Sequence, residues 1–235
     1  MAECIHGFEE GMCDSCYPKA PKAEVVPIRR SRPSVAPRTA GSPFKRVQIA
    51  AQRIYHVTHI HNLEGILDYG LLADVKPEVD VSSALTRELR STVDVEPGSA
   101  VANYVPFYLA PDSTLWEQLR DGAGDPRWSA AARDSASADY VVLVTTVGAL
   151  GAGAVVVDGD AAGSSAVFAT TPSEVDGMLR RLHGTDQVRD AEVLVKDSFS
   201  FDAVQLIGVA NEPMRDRVRE LVGDTKVAVY PPWFQ

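Results

Sequence analysis

Residues 139–147, DYVVLVTTV, are the stretch whose reading decides the fold. An unbroken run of β-branched and apolar residues after one leading charge reads as the clearest central strand in the chain. Working outward, further strands are expected at 54–58, in YVPFYLA at 104–110, in AVVVDG and SAVFA at 154–159 and 165–169, and in DAEVLV at 190–195. FDAVQLIGVA follows at 201–210. Pro106 marks an edge or bulge in its strand, because it has no N–H for a ladder. Helices are expected in NLEGILDYG, with Gly70 as the C-terminal cap, at 84–92, at 173–184 with Ser173 as N-cap, and at 212–222. Strands and helices mix without regular βαβ alternation. That order predicts an α+β fold and excludes a doubly wound sheet.

The chain has 235 residues, 45% of them hydrophobic and 23% charged, which fits one substantial globular domain with an appendage. No uninterrupted apolar run is long enough to span a membrane, and the start carries acidic residues where a secretory leader needs a positive flank. A cytoplasmic protein is therefore expected. The net charge of −9 is unevenly placed: residues 1–46 carry a net +3 and the remainder −12. A basic arm on an acidic body keeps a nucleic-acid partner open.

All three cysteines lie in the first sixteen residues. Cys13 and Cys16 form a CxxC pair, and Cys4 with His6 could complete a closed tetrahedral zinc site. So short a segment would draw its folding energy from the metal. The alternative is a tail with incidental cysteines. Residues 1–17 are thus expected as a zinc knuckle, 18–46 as a basic, Pro-rich linker, and 47–235 as the main domain.

Candidate chemistry gathers at three places. YHVTHIH holds three of the five histidines, and strand alternation sets His56 and Thr58 on one face, with Tyr55, Val57 and His59 on the other. Imidazole, hydroxyl and then Asn62 suit phosphates and ribose hydroxyls; metal ligation by His56, His59 and His61 has no nearby carboxylate to support it. Tyr104, Phe107 and Tyr108 could stack a ring or simply form core. Glu192 is a carboxylate at the head of an apolar strand, which places it at an edge in solvent or in a site.

Four blocks together resemble the DarT family of DNA ADP-ribosyltransferase toxins: YHVTHIHNLEGILDYGLL at 55–72, VEPGSAVANYVPFYLAPDSTL at 95–115, DYVVLVTTVGAL with VVVDGDAA across 139–162, and RDAEVLVKDSFSFDAVQLIGVANE at 189–212. The first matches the family's Tyr-His-Ile-Thr-His-Ile-x-Asn-Leu opening. The resemblance implies a split mixed sheet of the ADP-ribosyltransferase type. It also implies NAD⁺ held by His56, Thr58 and Asn62, with Gly70, Leu71, Tyr104, Phe107 and Tyr108 as further pocket residues. Glu192 takes the place of the catalytic glutamate, and Arg87, with Arg90 as fallback, that of the catalytic arginine. Where the family has Pro-Arg-Ser-Pro-Met, this chain has Pro111-Asp112-Ser113-Thr114-Leu115, which reverses a charge. The implied chemistry is cleavage of the nicotinamide bond through an oxocarbenium-like state that the carboxylate stabilises, with transfer to a base, thymine above all, in single-stranded DNA. A toxin with an antitoxin partner is implied as well. RNA or protein as acceptor, and a non-catalytic zinc-dependent nucleic-acid-binding module, are the competing readings.

Overall fold

The computed structural model describes residues 48–122 and 124–235. The zinc ligands expected at Cys4, His6, Cys13 and Cys16, and the linker, lie outside the described residues. Twelve strands run in chain order: β1 (Arg53–His59), β2 (Leu71–Leu72), β3 (Asp94–Glu96), β4 (Ser99–Ala100), β5 (Tyr104–Tyr108), β6 (Tyr140–Thr146), β7 (Ala154–Val157), β8 (Phe168–Ala169), β9 (Glu192–Lys196), β10 (Ser198–Phe199), β11 (Leu206–Val209) and β12 (Val227–Val229). The helices are α1 (Leu63–Tyr69), α2 (Ala84–Thr92), α3 (Thr114–Arg120), α4 (Ala130–Asp134), α5 (Pro172–Leu182) and α6 (Glu212–Val222). Eight strands form one mixed sheet in the order β12-β11-β6-β1-β5-β9-β7-β8, antiparallel throughout except for the β11–β12 pair. The α+β expectation holds.

β6 explains why its sequence reads as one unbroken apolar run. Val141 and Leu143 face α1 and α6 in the larger core, whereas Tyr140, Val142 and Val144 pack with Trp116, Leu119, Trp128 and Phe234 on the other face. A strand covered on both faces has no polar positions to alternate with. Each fully buried aliphatic side chain there contributes roughly 1.5–3 kcal/mol of transfer free energy. Val218 of α6, wholly buried, is one such anchor.

Two details depart from the sequence reading. α5 begins at Pro172, and its cap is Thr171, whose hydroxyl accepts from the Glu174 N–H while Glu174 returns a bond to the Thr171 N–H. Ser173 was expected to cap, but Pro172 at the first helical position is already preset in φ and needs no donor, so the helix starts earlier. The sheet also opens between β1 and β5. β1 pairs with β6 through seven residue pairs but with β5 through Tyr55↔Tyr108 alone. Beyond that rung the strands part, and the cleft between them is where the candidate residues collect.

Candidate active site

The β1 bank of the cleft is built locally. His56 sets its ring against Phe107, and its Nδ1 lies 2.8 Å from the Pro106 carbonyl. A carbonyl can only accept, so Nδ1 carries the proton and Nε2 is left as an acceptor. Burial holds this imidazole below its ordinary pKa, against the opposing pull of the carbonyl, and keeps it neutral. Thr58 and Asn62 are buried behind it. The Asn62 amide is committed to the protein itself: Nδ2 donates to Thr58 Oγ1 (3.1 Å) and the Val79 carbonyl (2.9 Å), and Oδ1 accepts from the Val79 N–H (2.8 Å). Asn62 therefore fastens the segment around Val79 across the cavity. Gly70 ends α1 at φ 80°, and a Cβ there would meet the Phe199 carbonyl oxygen at 2.6 Å, so only glycine lets β2 lie against β10.

The opposite bank is assembled from distant segments. Glu192 starts β9 and pairs in register with Tyr108 of β5 and Val157 of β7. Its carboxyl is 1% exposed. Oε1 accepts from the Ala161 N–H at 3.0 Å, and Oε2 lies 3.3 Å from Arg90 Nη1. Burial raises the Glu192 pKa; Arg90 and the Ala161 N–H oppose that rise, and Asp160 adds to it. The other Arg90 nitrogen, Nη2, is buried with no hydrogen-bond partner among the described residues. Arg87, the first-ranked arginine from sequence, instead pairs through Nε with Asp80 at 2.5 Å, leaving Arg90 as the arginine against the carboxylate. Tyr108 is pushed well up by burial and then by Glu192, so its phenol stays protonated.

Between the banks lies a cavity of about 760 Å³, lined among others by His56, Thr58, Asn62, Gly70, Leu71, Tyr104, Tyr108, Arg87 and Arg90. Phe107 does not line it; this ring is wholly buried under His56 and against Phe199. Glu192 meets the cavity through Arg90, Tyr108 and Asp160, which do line it. Its size falls within the roughly 300–1,000 Å³ common for ligand pockets. The histidines at 56, 59 and 61 do not all converge. His59 lies against His61 and Tyr140, away from His56, and among the described residues no group of three His, Cys, Asp or Glu is placed to hold a metal. The reversed charge at Asp112 is matched by Arg189, whose Nε donates to the Asp112 carbonyl (2.9 Å) and lies 3.4 Å from its carboxylate. Sequence reading missed Arg127, Trp128 and Asp160 on the lining, and the Ala161 N–H. A backbone donor has no residue-type signature, and the DPRW stretch at 125–128 matches no motif.

Residues 55–235 match the family model described as "ssDNA thymidine ADP-ribosyltransferase, DarT". The chain belongs to the DarT family. Among curated relatives, the DNA ADP-ribosyl transferase of Mycobacterium tuberculosis is 30% identical over 211 residues, covering 76% of this chain and 86% of that protein. The enzyme of that name from Thermus sp. 2.9 is 40% identical over 86 residues, a match covering 34% of this chain and 41% of the Thermus enzyme. In structure the Thermus sp. 2.9 DarT shares the fold along almost its whole length. Its complex with ADP-ribosylated single-stranded DNA aligns at a TM-score of 0.65 with 24% identity, over 78% of this chain and 96% of that one. Its NAD⁺ complex aligns at 0.62 with 23% identity, over 78% and 98%. Membership in the DarT family makes the chain an NAD-dependent ADP-ribosyltransferase acting on single-stranded DNA. No described helix is long and apolar enough to cross a membrane.

Proposed function

We propose that the cleft between β1 and β5 binds NAD⁺ and that Glu192, with Arg90, directs transfer of its ADP-ribose to a thymine base of single-stranded DNA. The observation that carries this reading is the Glu192 carboxyl, buried directly behind the cleft wall of Arg90, Tyr108 and Asp160, with one oxygen fixed by a backbone N–H and the other facing Arg90. A carboxylate held in this way is preorganised for positive charge developing on a ribose. It can also accept from a ribose hydroxyl and hold the sugar for in-line attack.

The residues present fit the dinucleotide. Neutral His56 offers Nε2 as an acceptor for a hydroxyl, and Thr58 and the main chain around Gly70 and Leu71 lie beside it. Asn62 contributes by clasping the wall, since its amide groups are already satisfied. The unpartnered Arg90 Nη2 is a donor for a base carbonyl, and through that contact Arg90 makes the adjacent ring N–H easier to ionise. A thymine must leave the base stack to reach the cleft, which favours a single strand. The Thermus enzyme's complexes with NAD⁺ and with ADP-ribosylated single-stranded DNA support the same pairing of substrates.

Short oligonucleotides incubated with the protein and NAD⁺, then weighed by mass spectrometry, test the reading. An added ADP-ribose on thymine-containing strands is expected, with none on strands lacking thymine. Transfer to RNA or protein alone would reject DNA as the acceptor. The reading extends to a cytoplasmic toxin whose modification a partner protein reverses or blocks. Growth arrest on expression, absent with an inactive Glu192 variant, is the expected outcome. It also extends to a structural zinc on Cys4, His6, Cys13 and Cys16, expected as one metal per chain and lost from a Cys13→Ser, Cys16→Ser variant.

A further inference from the structure

Glu192 is held by two elements that do not touch each other through any hydrogen bond among the described residues. One is the turn carrying Asp160 and Ala161, whose N–H reaches Oε1. The other is α2, which brings Arg90 to Oε2 but has no buried residue of its own to fix its position. It lies against the Val101–Asn103 turn and β4, and bonds at both its ends help to place it.

At the start of α2 those bonds converge on one residue. The Arg127 carbonyl accepts from the Ser83 N–H and from Thr86 Oγ1, each at 2.8 Å, at the start of α2. Its guanidinium is gripped by Asp125 (Nε to Oδ1 3.0 Å, Nη2 to Oδ2 2.8 Å) and by Gln118 Oε1 of α3 (2.5 Å). The remaining Nη1 points to Asp160, 3.6 Å from Oδ2. Flanking backbone bonds from Ser129 N–H to the Val81 carbonyl and a bridge between Ser82 and Trp128 lay the segment along the approach to α2. The loop of contacts closes: Glu192, Ala161, Asp160, Arg127, α2, Arg90, Glu192.

We infer that Arg127 is a positioning residue for the transfer reaction, joining the Asp160–Ala161 turn to α2 so that both grips on Glu192 stay in register. The inference rests on the reading of Glu192 given above. Arg127 also offsets the charge of Asp160, which stands beside the carboxylate. The groups facing Glu192 are Arg90 from α2, Tyr108 from β5, and Asp160 with the Ala161 N–H from the turn, with Arg127 behind Asp160. Removing Arg127 leaves the Asp160 charge uncompensated and favours protonated Glu192; removing the Asp160 charge does the reverse.

Transfer to a thymine-containing oligonucleotide is measured across pH for the wild type, R127Q and D160N, beside thermal melting. R127Q is expected to lower kcat by about ten- to a hundredfold, the scale of a misplaced catalytic group. KM for NAD⁺ is expected to stay within about twofold, as for an interaction felt in the transition state. The acid limb of the R127Q profile moves to higher pH and that of D160N to lower pH. An unmoved acid limb in R127Q overturns the inference whatever happens to the rate, because support of the fold alone does not move it. If R127Q does not fold, R127K decides instead, because it keeps a charge beside Asp160 but loses the forked grip of Asp125 and Gln118. A lowered kcat with an unmoved limb in R127K supports the inference, and an unchanged kcat overturns it. A wild type that transfers nothing to DNA rejects the functional reading instead, and an active wild type with unchanged variants rejects only the role of Arg127.

Discussion

On the β1 bank of the cleft, Asn62 finds its partners close by in sequence, though His56 reaches as far as Pro106; on the β9 bank the charged groups find theirs far away and incompletely. Asn62 bonds to Thr58, four residues off, and to Val79, seventeen off. Glu192 bonds to Ala161, thirty-one residues away, and to Arg90, one hundred and two away. The first bank is neutral, with its amide fully used. The second pairs a buried carboxylate with a partly buried guanidinium and, among the described residues, leaves Arg90 Nη2 without a partner. A satisfied wall suits a ligand that must be held, and a charged, partly unsatisfied one suits a reaction in which charge appears.

Substitutions on the two banks should therefore fail differently. The largest effect is expected from Glu192→Gln, a loss of about a hundred- to a thousandfold in transfer rate, as for one preorganised group. Mass spectrometry of the oligonucleotide and a retained melting transition would show that chemistry and not folding was lost. Next, Arg90→Ala is expected to cost about a hundredfold on the same scale, and Arg87→Ala far less. Equal losses in kcat would erase the distinction between the arginine on Glu192 and the one on Asp80.

Asn62→Ala should act as a wall defect. It strands the Val79 N–H and carbonyl, at about 1–3 kcal/mol in unfolding free energy, and raises KM for NAD⁺ more than it lowers kcat. Denaturant melts and initial rates together check this. The smallest effect is in pH. Because burial raises the Glu192 pKa above 4.5, the acid limb of kcat should lie above that of an ordinary carboxylate. The linked stability runs in the same sense. The wild type is favoured over Glu192→Gln most below the unfolded carboxylate pKa, and that advantage fades as pH rises through the raised, folded value. Melting temperatures of both proteins across acid and neutral pH would expose the opposite trend if Glu192 were stabilised in its charged form.

The same contrast explains what could be read in the chain. α2 and α6 fall at 84–92 and 212–222, as their periodicity and caps require, and β1 and β6 fall within a residue of expectation at each end. These are segments whose own composition decides their state. The His56 block was legible because its residues are contiguous. Glu192 stood out because a charge heads an apolar strand. The choice between Arg87 and Arg90 was not legible, since both lie on one short helix and its attachments to the 125–129 segment and to the Val101–Asn103 turn decide which one faces β9. Phe107 looked like a pocket ring, but its neighbours Pro106 and Tyr108 take the cavity side of the pleat and leave it in the core. Helix α4 and strand β12, five and three residues long, are too short for a periodic signal.

β1 is fastened by seven rungs along one edge and by a single rung along the other. Its second edge therefore offers a row of main-chain donors and acceptors that no strand among the described residues claims, at hand for a guest without unzipping any ladder. Recognition written in the peptide groups themselves does not depend on which side chains sit above them. Such an edge can keep its grip while the residues around it drift from one relative to the next.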